Sequence, residues 1–260
     1  ARTRSLDGAG GQLERYQQGS GAYAGASGAA DPGAVLFDGA SGARGGAGYV
    51  PVSYTPGYSP RPAVQYTNLD STIPSDLALA PPPSPAEARD IARYASLRSA
   101  LIRGGAAPSV VDQAIRQAVG KNMDPLMVLA IGMQESGLHN DSTSPVGARG
   151  AMQLMPGTAC GLGVCNVAAL YNPAVNVSLG TSYFKGLWDQ FVGSDMLSIN
   201  PLSPFVIHRV ENAIAAYNAG PGAVQKYGGV PPYRETADYV RKVIGYYMQF
   251  RRFQGRTVSV

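Results

Sequence analysis

Residues 124–137 read Asp-Pro-Leu-Met-Val-Leu-Ala-Ile-Gly-Met-Gln-Glu-Ser-Gly, and this stretch constrains the fold more than any other in the chain. Asp124 followed by Pro125 is a helix start, because the carboxylate accepts an orphan amide and the missing proline N–H is harmless at the first position. Beyond it, Leu126, Met127, Val128, Leu129, Ala130, Ile131 and Met133 place apolar side chains on every face. Such a helix has no side for water and must be enclosed by other elements. Its last turn nevertheless carries Glu135, just before Ser136 and Gly137. Apolar surroundings and the partial negative charge of a helix C-terminus both disfavour a carboxylate, so the sequence predicts a raised pKa. A surface glutamate at a frayed helix end is the alternative. A carboxylic acid that stays protonated near neutrality suits the general acid of glycosidic-bond cleavage.

Helices able to enclose this one are readable on both sides. Ser84, Pro85 and Glu87 form a capping box, after which Ile91, Tyr94, Leu97 and Leu101 recur at helical spacing until Gly104 and Gly105. A second helix is expected after Ser109, with Val111, Ile115 and Val119 on one face and a stop at Gly120. Others are expected near 173–191, capped by Asn172 and carrying Leu179, Tyr183, Leu187 and Phe191, and over 209–219 and 235–253. Glycine and proline punctuate the gaps, and no segment shows strand alternation. From residue 86 onward the fold is expected to be mainly α. The stretch 193–207 reads as an insertion able to reshape one wall of a cleft.

The first 85 residues have a different composition. Thirteen of the first fifty are glycine, and nine of the twenty prolines fall between 51 and 85. Such a segment buries too little apolar area to offset its backbone entropy. It reads either as a solvated linker or as an extended arm that docks on protein partners through its tyrosines. The expected organisation is an arm over 1–83, a connecting helix over 84–105 and the principal α domain over 106–260.

Charge follows the same division. Five arginines face six acidic residues before residue 86, leaving sixteen basic against eleven acidic residues after it. The basic part fits an anionic partner. Nucleic acid is not expected, since only Arg241, Lys242, Arg251, Arg252 and Arg256 approach a cluster. No run of 18 apolar residues exists, so no transmembrane segment is expected. The opening residues Ala1-Arg2-Thr3-Arg4-Ser5 carry no apolar core of a secretory signal, which is expected to be absent or already removed.

Three further motifs stand in order around Gln134-Glu135-Ser136-Gly137. They are Ser144-Pro145-Val146-Gly147-Ala148-Arg149-Gly150-Ala151-Met152-Gln153-Leu154-Met155-Pro156, then Ala215-Ala216-Tyr217-Asn218-Ala219-Gly220-Pro221-Gly222, then Glu235-Thr236-Ala237-Asp238-Tyr239-Val240. Together they resemble the signature of the family 1 lytic transglycosylases (the SLT domain, of the glycoside hydrolase family 23 type), over roughly residues 108–250. Ala151 stands where the family more often has leucine.

The resemblance implies a lysozyme-like α fold. It also implies cleavage of the β-1,4 bond between N-acetylmuramic acid and N-acetylglucosamine in peptidoglycan glycan strands, with a 1,6-anhydro product and no cofactor. Glu135 would be the single acid and base, and the substrate's own acetamido group would steady the cationic centre. Ser144 would lie near the acetamido pocket. Met152 and Gln153 would contact sugar, the thioether covering an apolar face and the amide hydrogen-bonding. Tyr217 would stabilise the reacting centre, beside Asn218 in the tight turn. Tyr217 also reads as a core aromatic at helical spacing. Glu235 and Tyr239, four residues apart, share a helix face that points at the cleft, or else serve as a capping glutamate and a packing tyrosine.

An ordinary glycosidase needs a second carboxylate. None is evident in the sequence, and the nearest, Asp141, sits in a polar turn. Cys160 and Cys165, with four residues between them, read as a short-loop disulfide suited to an oxidising compartment, or as two buried thiols. No metal site is expected, since His139 and His208 lack ligand spacing. The expected place of action is outside the cytoplasm, at the periplasm or cell wall, within a larger assembly such as a virion, a secretion apparatus or a flagellar apparatus. A hydrolysing muramidase and a non-catalytic wall-binding component are the alternatives.

Overall fold

A computed structural model describes residues 83–194 and 200–257. The expected arm over 1–83 lies outside the described residues, save its last position. The helices are α1 (Pro85–Ala92), α2 (Ala95–Arg103), α3 (Pro108–Gly120), α4 (Pro125–Ser136), α5 (Pro156–Gly161), α6 (Pro173–Phe191), α7 (Ile207–Ala219), α8 (Pro221–Tyr227) and α9 (Arg234–Thr257), with a 3-10 helix at Val167–Tyr171. Among the described residues there is no strand, only isolated bridges pairing Thr143 with Arg149 and Arg149 with Leu154. The fold is mainly α, as the helical periodicities imply.

Helix α4 is the axis of the fold. Every residue from Pro125 to Gln134 is buried, because α3 and α9 flank the helix and the loop that follows it covers the remainder. Asp124 caps it by accepting from the Leu126 N–H at 2.9 Å. The helix ends with Gly137 in the left-handed region (φ 65°), followed by Leu138 at φ 64°. That turn folds the fully buried Leu138 back over Gly132, where a Cβ would meet the Leu138 side chain at 2.8 Å. The glycine inside an otherwise bulky helix is the space that Leu138 occupies.

The expected first helix is in fact two. The Arg93 and Tyr94 amides close onto Asp90 O (3.3 Å) and Ile91 O (3.0 Å), a tightening that ends α1 and lets Tyr94 pack against the core. Helix α2 is part of the core, and α1, which has no buried residue, packs beside it through Ile91. Leu97 and Leu101 are fully buried, Arg98 holds Asp112 of α3 with two hydrogen bonds, and Gln254 of α9 donates to Arg93 O at 3.0 Å. Helix α3 begins at Pro108 rather than after Ser109, with Ala107 as its unassisted cap, because proline is preorganised for the first helical position. Helices α5 and α8 and the 3-10 helix span 6, 7 and 5 residues, too few turns for a periodic signal.

Of the 193–207 stretch, residues 193–194 and 200–207 are described. Asn200 accepts from Arg251 of α9 at 2.8 Å, about 18 Å along that helix from Tyr239 at a rise of 1.5 Å per residue.

Helix α6 carries the buried Asn176, whose two side-chain atoms hold the loop that follows α4. Its Oδ1 accepts from Met152 N–H (2.7 Å) and its Nδ2 donates to Arg149 O (2.9 Å). Gly150 between them, at φ 74°, has no room for a Cβ, which would meet Leu170 O at 2.2 Å. Asn176→Ala therefore strands a backbone donor and an acceptor away from water. It should destabilise the fold by about 2–4 kcal/mol in denaturant melts, whereas replacement of the exposed Arg252 should leave stability unchanged.

Candidate active site

Glu135 closes α4 at the point where α9 crosses it. Its Oε1 accepts from the Tyr239 hydroxyl at 2.5 Å, across 104 residues of sequence. The carboxyl pKa is raised to about 7, first by burial and then by the charge of Glu235, against the opposing pull of the Tyr239 hydrogen bond. Glu235 is exposed one turn before the buried Tyr239 on α9. The shared helix face expected for this pair is therefore turned to Glu135, with the phenol touching it and the carboxylate acting on it through space. Glu235 is a carboxylate whose charge reaches Glu135, an influence created by tertiary packing across 100 residues of chain.

Tyr217 of α7 is the second phenol. It donates to Met152 O at 2.9 Å, and its ring lies 5.4 Å from that of Tyr183 and 6.0 Å, edge-on, from that of Phe184. Burial and the charge on Glu135 raise its pKa well above the ordinary phenol value, and the same two causes act on Tyr239. Both remain hydroxyl donors at neutral pH. Tyr217 is thus packed as a core aromatic and lies within reach of the Glu135 charge.

The loop between α4 and α5 forms the rest of the site. Ser136 Oγ donates to Ala151 O at 2.8 Å and accepts from His139 N–H at 3.0 Å, which fastens the loop directly behind Glu135. Gln153 adopts φ 45°, and its Nε2 donates to Gly150 O (2.8 Å) and Ser142 O (3.2 Å). Its amide nitrogen therefore shapes the loop, and only its Oε1 is left to meet a ligand. Ser144 Oγ accepts from Ala148 N–H at 2.9 Å and holds the turn at Pro145 and Val146. Met152 departs from expectation. The residue is 1% exposed and its side chain fills the gap where a Cβ on Gly180 would meet it at 2.5 Å, so the thioether belongs to the core, while the backbone N–H and C=O are engaged by Asn176 and Tyr217. Asn218 turns to Thr236, accepting from Oγ1 at 2.8 Å, and so ties the end of α7 to the start of α9 rather than touching Glu135.

Cys160 and Cys165 are disulfide-bonded at the exposed end of α5, away from these groups. No cluster of metal-ligating side chains occurs among the described residues. Asn176, Ser136 and Thr236 were given no role by sequence reasoning. The available signal was slight: an asparagine at a position of α6 whose neighbours are apolar.

Residues 112–240 match the Transglycosylase SLT domain. They belong to that family. The soluble lytic murein transglycosylase of Escherichia coli (strain K12) is 32% identical over 54% of this chain and 22% of its own length, and that of Salmonella typhimurium (strain LT2) is 30% identical over 74% and 33%. A transglycosylase of Enterobacteria phage PRD1 is 40% identical over 27% of this chain and 25% of its own. The chain thus spans a third or less of the length of these relatives. The crystal structure of the 70 kDa soluble lytic transglycosylase from Escherichia coli aligns with 65% of this chain and 30% of its own, at 27% identity and a TM-score of 0.46. All the residues described around Glu135 lie within the matched SLT segment. Among the described residues, no helix is long and apolar enough to cross a membrane.

An acid whose folded pKa stands above its unfolded value binds more protons in the native state. Its contribution to stability is full below pH 4.5 and is lost as pH rises through about 7. At 1.36 kcal/mol per unit the loss is at most about 3 kcal/mol. Melting of the wild type should fall over this window relative to Glu135→Gln, whose side chain does not titrate. Parallel melting curves for the two proteins from pH 4 to 9 would refute this assignment.

Proposed function

We propose that this chain is a peptidoglycan lytic transglycosylase in which Glu135 acts alone as acid and then as base. The observation that carries the proposal is Glu135 at the end of an enclosed helix, its pKa raised by burial, in hydrogen-bond contact with Tyr239 within an SLT segment. The neutral carboxyl donates its proton to the bridging oxygen, the C1–O4 bond breaks, and the glucosamine end leaves as an alcohol. The resulting carboxylate takes the proton of the muramyl 6-hydroxyl as O6 bonds to C1. The acid is regenerated, a 1,6-anhydro ring closes, and no water is consumed. A pKa near 7 supports both halves, since each protonation state is accessible near neutrality.

Under this reading Tyr239 aligns the acid, Glu235 keeps it protonated, and Tyr217 faces the developing charge. Gln153 offers its Oε1 to a sugar, Met152 anchors the Tyr217 hydroxyl through its carbonyl, and Ser144 and Asn218 set the walls through their turns. The substrate is the peptidoglycan glycan strand, whose acidic stem peptides suit the net basic charge after residue 85. Action lies outside the cytoplasm, at the periplasm or wall, as the disulfide between Cys160 and Cys165 supports. The chain works within a larger assembly to which residues 1–85 bind through protein partners. The similarity to a phage transglycosylase supports a virion setting for that assembly.

A hydrolysing muramidase is the second reading, with Glu235, whose charge acts on Glu135, as the candidate second carboxylate. Digestion of purified sacculi with mass analysis of the products separates the two. Anhydro ends are expected, and reducing ends would favour hydrolysis. Glu135→Gln should lower turnover by about 10²–10⁴-fold in either case. Glu235→Gln distinguishes them again: turnover should persist with its alkaline limb moved to lower pH, because a like charge that raises the acid's pKa has been removed. A loss as large as that of Glu135→Gln would make Glu235 a reacting group.

A further inference from the structure

Helix α4 is held at both ends by the same chemistry. At its C-terminal end Tyr239 donates to Glu135 at 2.5 Å, and at its N-terminal end Tyr247, also of α9, donates to Asp124 Oδ2 at 2.7 Å. Asp124 Oδ1 is engaged separately in capping α4, so each carboxylate oxygen has its own donor. Eight residues separate the two tyrosines, just over two turns, which puts them on one broad face of α9. Val240, Val243 and Ile244 are buried between them. Apolar contact resists separation of two helices but is non-directional. A directional bond at each end fixes both sliding and rotation.

We infer that the Tyr247–Asp124 hydrogen bond is a positioning device, setting the register of α9 on α4 and thereby holding the Tyr239 hydroxyl on Glu135. The inference rests on the reading of Glu135 as the acid. Asp124 is faced by Tyr247 and Arg251 from α9 and by Tyr94 from the corner between α1 and α2. Arg251 lies over the Tyr247 ring at 5.8 Å and reaches Asn200, so three separate segments converge on this anchor. Glu135 is faced by Tyr239 and Glu235 from α9 and by Tyr217 from α7. Asp124 stands about 16 Å from Glu135 along α4 and is not among the groups that shift it. Its influence is therefore indirect, and α9 is the element that bonds both carboxyls.

Three variants of the full chain test this: Tyr247→Phe, Asp124→Ser and Asp124→Asn. Serine still caps α4 but is too short to reach Tyr247. Asparagine caps through Oδ1 and offers its amide to the phenol, which can accept. The readout is the midpoint of the Glu135 carboxyl in carbon-13 NMR titration, with the signal assigned by its absence in Glu135→Gln. Tyr247→Phe and Asp124→Ser should each raise the midpoint by about half a pH unit, since a loosened donor stabilises the carboxylate less. Asp124→Asn should leave it at the wild-type value. Midpoints unchanged in the first two variants, alongside lower melting temperatures, would reduce the bond to a structural tie and overturn the inference. The titration needs no turnover. Shifted midpoints in a protein that released no anhydro ends would sink the proposed function and leave the positioning role standing.

Discussion

The enclosure of α4 is the constraint on which the rest depends. A helix apolar on all faces is stable in water only when neighbours cover it, and α3, α9 and the loop after Gly137 together do so. Covering the helix also takes much of the carboxyl at its end out of water, with Glu135 left half-buried. Burial is the first cause of the raised Glu135 pKa, so the apolar contacts that stabilise the domain are the ones that push this carboxyl's pKa upward. Fold and chemistry share one desolvation.

That arrangement requires the chain to return over α4 at close range, and small residues make the return possible. Gly132 leaves space for Leu138, Gly180 leaves space for Met152, and Gly150 passes beside Leu170 O and Asn176 where no side chain fits. Asn176 then converts proximity into fixed geometry by bonding the peptides of Arg149 and Met152. Met152 O in turn receives the Tyr217 hydroxyl. A line of contacts thus runs from α6 through the loop to α7.

Helical order, the cap at Asp124, the buried character of α4 and the acid at its end were all legible in the sequence, because each depends on residues within a few turns of one another. The break at Tyr94 was not, because the spacing of Ile91, Tyr94, Leu97 and Leu101 fits one helix as well as two, and the choice is made by packing against a distant core. Glu135 with Tyr239 could be proposed only from motif resemblance, since their contact spans 104 residues. The influence of Glu235 on Glu135 and the burial of the Met152 thioether depend on the same long-range packing, which local spacing does not encode.

A single group that must first give and then take a proton is best served by a pKa close to the working pH. Burial alone drives a carboxyl upward without setting where it stops. In this site two groups on one face of α9 oppose each other: Tyr239 lowers the Glu135 pKa by donating to the carboxylate, and Glu235 raises it by its charge. Both are carried by one helix, one turn apart, so a displacement of α9 changes them together. The hydrogen bond is short-ranged and directional and responds steeply, whereas the charge acts through space and responds weakly. The position of α9 therefore tunes the acid chiefly through Tyr239. A helix pinned at both ends suits that task better than one held by apolar contact alone.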